Sequence, residues 1–303
     1  MQIFDTLKPT KYYTSVALGF FDGVHKGHRD VITTAVNASS DVCKATVLTF
    51  KDSPAYILSG NKKQLLTTNE EKFNLFEKLG VEYVFCIDFN EVCSMTANDF
   101  VKEVLYDTLN AKFVIAGFNY HFGKGGNADA DDLIAMCHKL KIDSCKRKPV
   151  EYQNEPISST RIRQCITNGQ IEDANAMLSY NFSVTSKITS GNHIGTTIKT
   201  PTINQPLNTG IVTPKFGVYA SRVVIDDRVY LGATNIGTHP TVGDSEPLCE
   251  THLLNFESGN LYSRDVKTEL LRFIRPEKKF DSLVQLKQQI QKDINDILSS
   301  HNK

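Results

Sequence analysis

The sequence predicts an α/β protein in two parts: a doubly wound parallel sheet as far as residue 180, then an antiparallel β-barrel followed by a C-terminal helix. Three observations carry that expectation. Short apolar runs alternate with helix-period segments up to Leu178, the pattern of βα units stacked into a parallel sheet. Past Leu178 the chain changes to short β-rich runs broken by turn residues, which is how an antiparallel barrel reads. In the last segment, 283–298, Leu283, Leu286, Ile290, Ile294 and Ile297 form one helical stripe that should pack on the barrel.

Val16, Ala17 and Leu18 read as a short buried strand, and Val31, Ile32, Ala35 and Val36 recur behind it at helical spacing. A strand at 45–50, a helix at 69–79, a strand at 83–89 and a helix to Leu109 capped by Thr96 or Asn98 come next. Residues 113–116 read as a strand and 131–140 as a helix; 160–167 and 171–178 are two short helices separated by the stop signal Gly169. The second part carries strands at 184–188, 216–225, 228–234, 250–254 and 266–273. Glu70, Glu71 and Lys72, after Thr67 and Thr68, read as a capped helix start, with capping and packing roles and no part in chemistry.

The stretch from Val16 to His28, VALGFFDGVHKGH, joins the first strand to the first helix through a turn of glycine and histidine. A helix N-terminus at a strand's carboxyl end offers unpaired N–H groups and the positive end of a dipole. Gly23 and Gly27 let backbone come close, and His25 and His28 supply further donors, a combination that suits the phosphates of a nucleoside triphosphate. Dipole and phosphate pull the imidazoles toward opposite charge states. As local structure alone, the glycines can be ordinary turn residues and either histidine a helix cap.

At 303 residues the chain is long for one compact core and comfortable for two domains. Lys and Arg number 34 and Asp and Glu 34, with no basic run, so the expected partners are small-molecule substrates, with no nucleic acid and no membrane. Seven cysteines lie scattered without a CxxC pair or a histidine at ligand spacing, which argues against a disulfide framework or zinc site and for reduced thiols. The start MQIFDTLKPTKYY lacks the features of a signal peptide. No segment approaches the ~18 uninterrupted apolar residues of a membrane span. The expectation is a soluble, cytoplasmic protein.

The string from Gly19 to His28 resembles the GxFDGVHxGH signature of the bacterial bifunctional riboflavin kinase and FMN adenylyltransferase, or FAD synthetase, family. Ile157-Ser158-Ser159-Thr160-Arg161-Ile162-Arg163 resembles that family's Ser-Ser-Thr-x-Ile-Arg segment, in which Ser158 or Ser159 can cap the following helix. Gly117-Phe118-Asn119-Tyr120-His121-Phe122-Gly123-Lys124-Gly125 resembles its GxNxxFGxG loop. The resemblance implies a Rossmann-like nucleotidyltransferase domain over 1–180. In it, Gly19, Phe20, Asp22, Gly23, Gly27, Asn119, Ser159, Thr160, Arg161 and Arg163 would lie around ATP, and His25 and His28 would be catalytic donors.

For 181–303 the resemblance implies a riboflavin kinase domain. Gly191 and Gly195 would lie at the ATP phosphates, and Pro201-Thr202-Ile203-Asn204 resembles a Pro-Thr-Ala-Asn segment in which Thr202 and Asn204 help hold Mg²⁺. Gly217-Val218-Tyr219-Ala220 and the run from Asn235 to Thr241 match as well, and Glu250-Thr251-His252 resembles the Glu-x-His segment whose glutamate is the kinase base. The implied activity is ATP-dependent phosphorylation of riboflavin to FMN, then adenylylation of FMN to FAD with release of pyrophosphate. ATP, riboflavin and FMN are the implied substrates and Mg²⁺ the cofactor.

Several positions depart from the family pattern. Thr49-Phe50-Lys51-Asp52-Ser53-Pro54 stands where Thr-Phe-x-Pro-His-Pro is common, Gly126 replaces an arginine, and Ser179-Tyr180-Asn181-Phe182 replaces Gly-Arg-Pro-Tyr. Lys199 and Thr200 occupy the places of a glycine and an aromatic residue, and Thr196 that of a basic one. A lysine for a glycine either blocks close backbone approach to phosphate or adds a pairing donor. Two further readings therefore stay open: a monofunctional FMN adenylyltransferase with a drifted kinase site, and a non-catalytic flavin-binding regulatory protein. A nucleotidyltransferase for another small phosphorylated substrate fits the HxGH turn alone, against the kinase-like second half.

Overall fold

The computed structural model describes residues 1–60, 63–189, 202–226, 228–238, 247–256, 261 and 263–301. The chain forms two compact units, Met1–Ser159 and Thr160–Lys303.

The first unit is a six-stranded parallel sheet with helices on both faces. Its strands are β1 (Gln2–Phe4), β2 (Tyr13–Leu18), β3 (Cys43–Phe50), β4 (Tyr83–Ile87), β5 (Ala111–Gly117) and, later in the chain, Asp143–Arg147, which is β8 below. The order across the sheet is β1-β4-β3-β2-β5-β8. Helices α1 (Lys26–Asn37), α2 (Pro54–Ser59) and α3 (Asn69–Lys78) lie between β2 and β4. After β4, α4 (Ala97–Asp99) runs on as a π-helix over Phe100–Thr108; β6 (His121–Phe122) and β7 (Ala128–Asp129) form a short hairpin before α5 (Ala130–Lys139) and β8 (Asp143–Arg147). The short pair β9 (Glu151–Tyr152) and β10 (Glu155–Pro156) closes the unit.

Alternation along β2 divides the core. Val16 and Leu18 join Leu48, Phe85, Phe100 and Leu133 on one face; Ala17 joins Val31, Ile32, Val47, Phe76 and Ile115 on the other. Because both faces are covered, β2 and β3 read as apolar runs. Strand β2 pairs with β3 on one side and β5 on the other, Leu18 lying opposite Leu48 and Ala116. The connections leave in opposite directions there, which makes the carboxyl end of β2 the topological switch point where such sheets bind ligands.

Two strands of this parallel sheet have no sequence signal. β8, Asp-Ser-Cys-Lys-Arg, lacks apolar periodicity; its pairing with β5 and the bidentate Arg147–Asp30 ion pair to α1, at 2.7 and 2.9 Å, hold it in place. β1 is an edge strand secured by Phe4, which stacks on Phe85 at 4.6 Å.

The second unit holds α6 (Ser159–Asn168) from its second residue on and α7 (Ile171–Leu178), followed by β11 (Ser183–Lys187), β12 (Thr202–Pro206), β13 (Gly217–Ile225), β14 (Arg228–Gly237), β15 (Leu248–Leu253) and β16 (Asp265–Pro276). These six strands form an antiparallel sheet in the order β11-β16-β13-β14-β15-β12. Its two edges meet where the Thr189 N–H donates to the Asn204 carbonyl at 2.8 Å, so the sheet curls into a nearly closed barrel. Inside, hydroxyls satisfy one another: Thr234 Oγ1 lies 2.6 Å from Ser221 Oγ and 2.8 Å from Thr251 Oγ1.

Helix α8 (Leu283–His301) packs through Ile294 and Ile297 against Ala220, Leu231 and Leu254. The Arg275–Asp293 ion pair at 2.8 Å fastens it to β16. The stripe packs only over its C-terminal half, because Leu283 at the other end remains 57% exposed.

Candidate functional site

The first candidate site is the turn between β2 and α1. Phe21, Gly23 and Val24 all take positive φ, at 58°, 78° and 38°, a region that costs a bulky or β-branched residue energy unless its surroundings hold it. Phe21 and Val24 are buried at 2% and 0% exposure. An added Cβ at Gly19 would lie 2.9 Å from the Phe21 ring, so no larger residue fits there.

Polar contacts from other elements hold the same turn. The Asp22 carboxylate accepts from the Leu66 N–H at 2.8 Å, and the Gly23 N–H donates to Thr67 Oγ1 at 3.2 Å. The Phe20 carbonyl accepts from Thr49 Oγ1 at 3.0 Å and from Lys72 Nζ at 3.4 Å. Ser159 Oγ donates to the Asp22 carbonyl at 2.9 Å, and Arg29 Nε to the Val24 carbonyl at 3.1 Å.

His25 is the N-cap of α1: its Nδ1 accepts from the His28 N–H at 3.3 Å. That bond places the proton of a neutral His25 on Nε2, leaving an N–H donor on the far side of the ring. The two imidazoles stack with centroids 3.5 Å apart and planes 18° from parallel, and Phe21 meets His28 edge-on at 5.3 Å. A Cβ on Gly27 would sit 3.2 Å from His25 Cε1, so glycine is what lets the ring lie over the helix start. The first-turn N–H groups of Lys26 and Gly27 have no helical acceptor.

Burial lowers the His25 pKa from 6.5 to about 4. Burial, then the charges of His25 and Lys72, holds that of His28 well below its usual value. Both imidazoles are therefore neutral at pH 7. His28 Nδ1 is buried without a hydrogen-bond partner.

Asn119 is exposed on the turn that follows β5, where the Tyr120 N–H donates to the Gly117 carbonyl at 3.2 Å. Leu18 and Ala116 are register partners, so the loop after Gly117 begins one strand away from the loop after Leu18. Gly126, in place of a family arginine, takes φ 66°, a conformation an arginine would adopt only under strain. Ser159 lies inside α6 and turns its hydroxyl to Asp22. In the second unit, Thr160 Oγ1 accepts from Arg163 Nη2 at 3.2 Å, and Arg161 follows Thr160 in α6.

Thr49, Thr67 and Lys72 were not read as site residues in the sequence. The signal for Lys72 was available: it precedes Phe76 by four positions, on the face of α3 that Phe76 buries in the core. The capping reading holds for Thr68 and Glu71, which form a capping box. Lys72 is instead 2% exposed and lies against the turn between β2 and α1.

The second candidate site is on β12 and β15. Thr202 Oγ1 donates to Glu250 Oε1 at 2.9 Å. Asn204 is the register partner of Glu250 and only 5% exposed; on the other side of β15, Asn235 is opposite Glu250. Alternation puts Thr202 and Asn204 on one face, so with Glu250 and Asn235 four oxygen-bearing side chains from three strands share it. This donor set fits a hard cation such as Mg²⁺. Gly191, Gly195, Thr196, Lys199, Thr200, Pro201 and 239–241 lie outside the described residues.

Two family models divide the chain between them: FAD synthetase over residues 7–161 and riboflavin kinase over residues 178–301. The bifunctional riboflavin kinase/FMN adenylyltransferase of Bacillus subtilis is 33% identical over 95% of this chain and 92% of its own. The Escherichia coli protein of the same description is 32% identical over 92% and 90%. A crystal structure described as a macrolide-efflux protein from Streptococcus pneumoniae superposes with a TM-score of 0.87 at 30% identity, covering 97% of each chain. Among the described residues no helix is long and apolar enough to cross a membrane. With the histidine turn in the half matched by FAD synthetase and the Thr202–Glu250 pair in the half matched by riboflavin kinase, the chain belongs to the bifunctional riboflavin kinase/FMN adenylyltransferase family.

Proposed function

We propose that this chain makes FMN and FAD at two separate sites: riboflavin and ATP give FMN and ADP in 181–303, and FMN and ATP give FAD and pyrophosphate in 1–180. The observation that carries this reading is the presence in one chain of two unrelated constellations, each suited to one of the two phosphate chemistries. It works on small molecules in the cytoplasm.

In the adenylyl transfer, an FMN phosphate oxygen forms a bond to the α-phosphorus of ATP while the bond to the bridging oxygen breaks. Pyrophosphate leaves with the electron pair. No side chain is covalently modified; the protein positions the two phosphates and offers donors to the charge that develops. His25 Nε2–H, the imidazole of His28 and the first-turn N–H groups of α1 supply those donors. Gly19, Gly23 and Gly27 keep the turn open to them, with Phe20 and Asp22 anchoring it; Asn119 and Ser159 add ATP contacts.

In the kinase reaction, Glu250 takes the proton of the ribityl 5′-hydroxyl as the hydroxyl oxygen bonds to the γ-phosphorus, while the bond from that phosphorus to the bridging oxygen breaks and ADP leaves with the electron pair. The Thr202 hydroxyl orients that carboxylate. Thr202 and Asn204 would hold Mg²⁺, which would supply neutralising charge at the ATP phosphates.

The test is a chromatographic assay with ATP and Mg²⁺, offering riboflavin in one tube and FMN in another. Conversion of riboflavin through FMN to FAD supports both sites. FAD from FMN alone leaves an adenylyltransferase with a silent barrel, and no product from either moves the non-catalytic flavin-binding reading to the front.

A further inference from the structure

Lys72 is a buried charged group beside the histidine turn that the proposed chemistry does not use. It projects from the first turns of α3 and is 2% exposed. Its Nζ lies 3.4 Å from the Phe20 carbonyl and 4.7 Å from the centre of the Phe20 ring. Among the described residues no carboxylate comes within ion-pair distance of it, although Lys44, Lys146 and Lys267 each have such a partner.

Burying an ammonium without a counter-ion costs several kcal/mol. One carbonyl, one ring face and the more distant charge of Asp22 offset only part of that cost. Apart from the more distant Asp22 carboxylate, the groups that face the ammonium carry no negative charge. His28 faces it from α1 with an unpartnered Nδ1, Cys86 faces it from β4, and Asp22, from the turn, already accepts from Leu66. A buried cation, an unpartnered imidazole nitrogen and a helix N-terminus meeting at one turn favour an anion there.

We propose that Lys72 is a positioning residue of the adenylyl-transfer site: its ammonium fixes the phosphate-binding turn through the Phe20 carbonyl and supplies, from the buried side of that turn, the positive charge that draws the anionic substrate. The role rests on the adenylyltransferase reading above. Burial also brings the Lys72 pKa down from 10.5 to about 8, with Cys86 and Asp22 opposing that shift. The histidines being neutral, the pH dependence of ATP capture in the free enzyme follows this lysine.

The test is FAD formation from FMN by the full chain, with kcat and the KM for ATP measured between pH 6 and 10 for wild type, Lys72→Arg and Lys72→Met. FMN formation from riboflavin by the same samples is the internal standard for folding. For wild type, kcat/KM should stay level through the imidazole range and fall as pH rises through about 8. Lys72→Arg, which stays charged, should keep FAD formation and lose that alkaline fall. Lys72→Met should lose about 10²-fold in kcat/KM, the scale of removing one preorganised group, and show no fall near pH 8. An unchanged alkaline fall in Lys72→Arg overturns the proposal even where Lys72→Met does not fold, and so does wild-type kinetics in Lys72→Met. Absence of FAD from wild type would instead overturn the adenylyltransferase reading and this role with it.

Discussion

The imidazoles of His25 and His28 lie face to face, 3.5 Å between centroids, and the backbone N–H of His28 is bonded to the ring of His25. The side chain that caps α1 is thus the one proposed to donate to phosphate. Capping settles the ring's tautomer and stacking settles its plane, so the donor is set before substrate arrives.

Because the pair is buried and neutral, acid should weaken the first unit. The folded-state pKa of His25, about 4, lies below the unfolded value of 6.5, so the unfolded chain binds the extra proton. Stability is complete above pH 6.5 and is lost as pH falls toward 4. Urea unfolding of wild type and His25→Gln at pH 7 and pH 5 should show wild type losing about 2 kcal/mol more than the variant. Equal losses would show that the ring is not held neutral.

Gly27→Ala should separate stability from activity. Alanine is the better helix former by about 1 kcal/mol, yet its Cβ would press on His25 Cε1 at 3.2 Å. The expected result is FAD formation reduced about tenfold or more, with unfolding unchanged or improved and FMN formation from riboflavin unaffected. Wild-type FAD formation would mean the His25 ring can shift without consequence.

The two reactions should respond to different residues. Glu250→Ala should lower FMN formation by about 10²- to 10⁴-fold, the range for a general base, and leave FAD formation from FMN intact. Thr202→Val, which removes the hydroxyl bonded to Glu250 at 2.9 Å, should act in the same direction and less strongly. His28→Ala should abolish FAD formation and spare the kinase reaction. Equal loss of both activities in a folded single variant would contradict two separate sites.

Lys72→Met should make the first unit more stable at pH 7 even as it impairs catalysis. Removing a buried charge in favour of an apolar chain of similar length contributes about 1–3 kcal/mol, and the Phe20 carbonyl keeps its bond from Thr49. Calorimetry should show the gain; a loss of stability would mark Lys72 as a packing residue.

How much of this was legible in the sequence depended on whether a feature is local. The GFFDGVHKGH turn, the helix behind it, the Thr68–Glu71 capping box and the helix over Ile171–Leu178 rest on residues a few positions apart, and they formed as read. Strands β8 and β12 were missed because Asp-Ser-Cys-Lys-Arg and Thr-Ile-Asn-Gln-Pro have no strand periodicity; only their pairing with β5 and β15 makes them strands.

The sequence by itself determined which residues can meet phosphate: two histidines beside glycines at a helix start, and a threonine, an asparagine and a glutamate of the right chemical types. Tertiary structure decided their state and their company. It enclosed the imidazoles so that they are neutral, set Lys72 against the Phe20 carbonyl from 52 residues away, and brought Glu250 to Thr202 across 48. Charge state and contact depend on what excludes water from a group and what faces it, and both are properties of the packed chain.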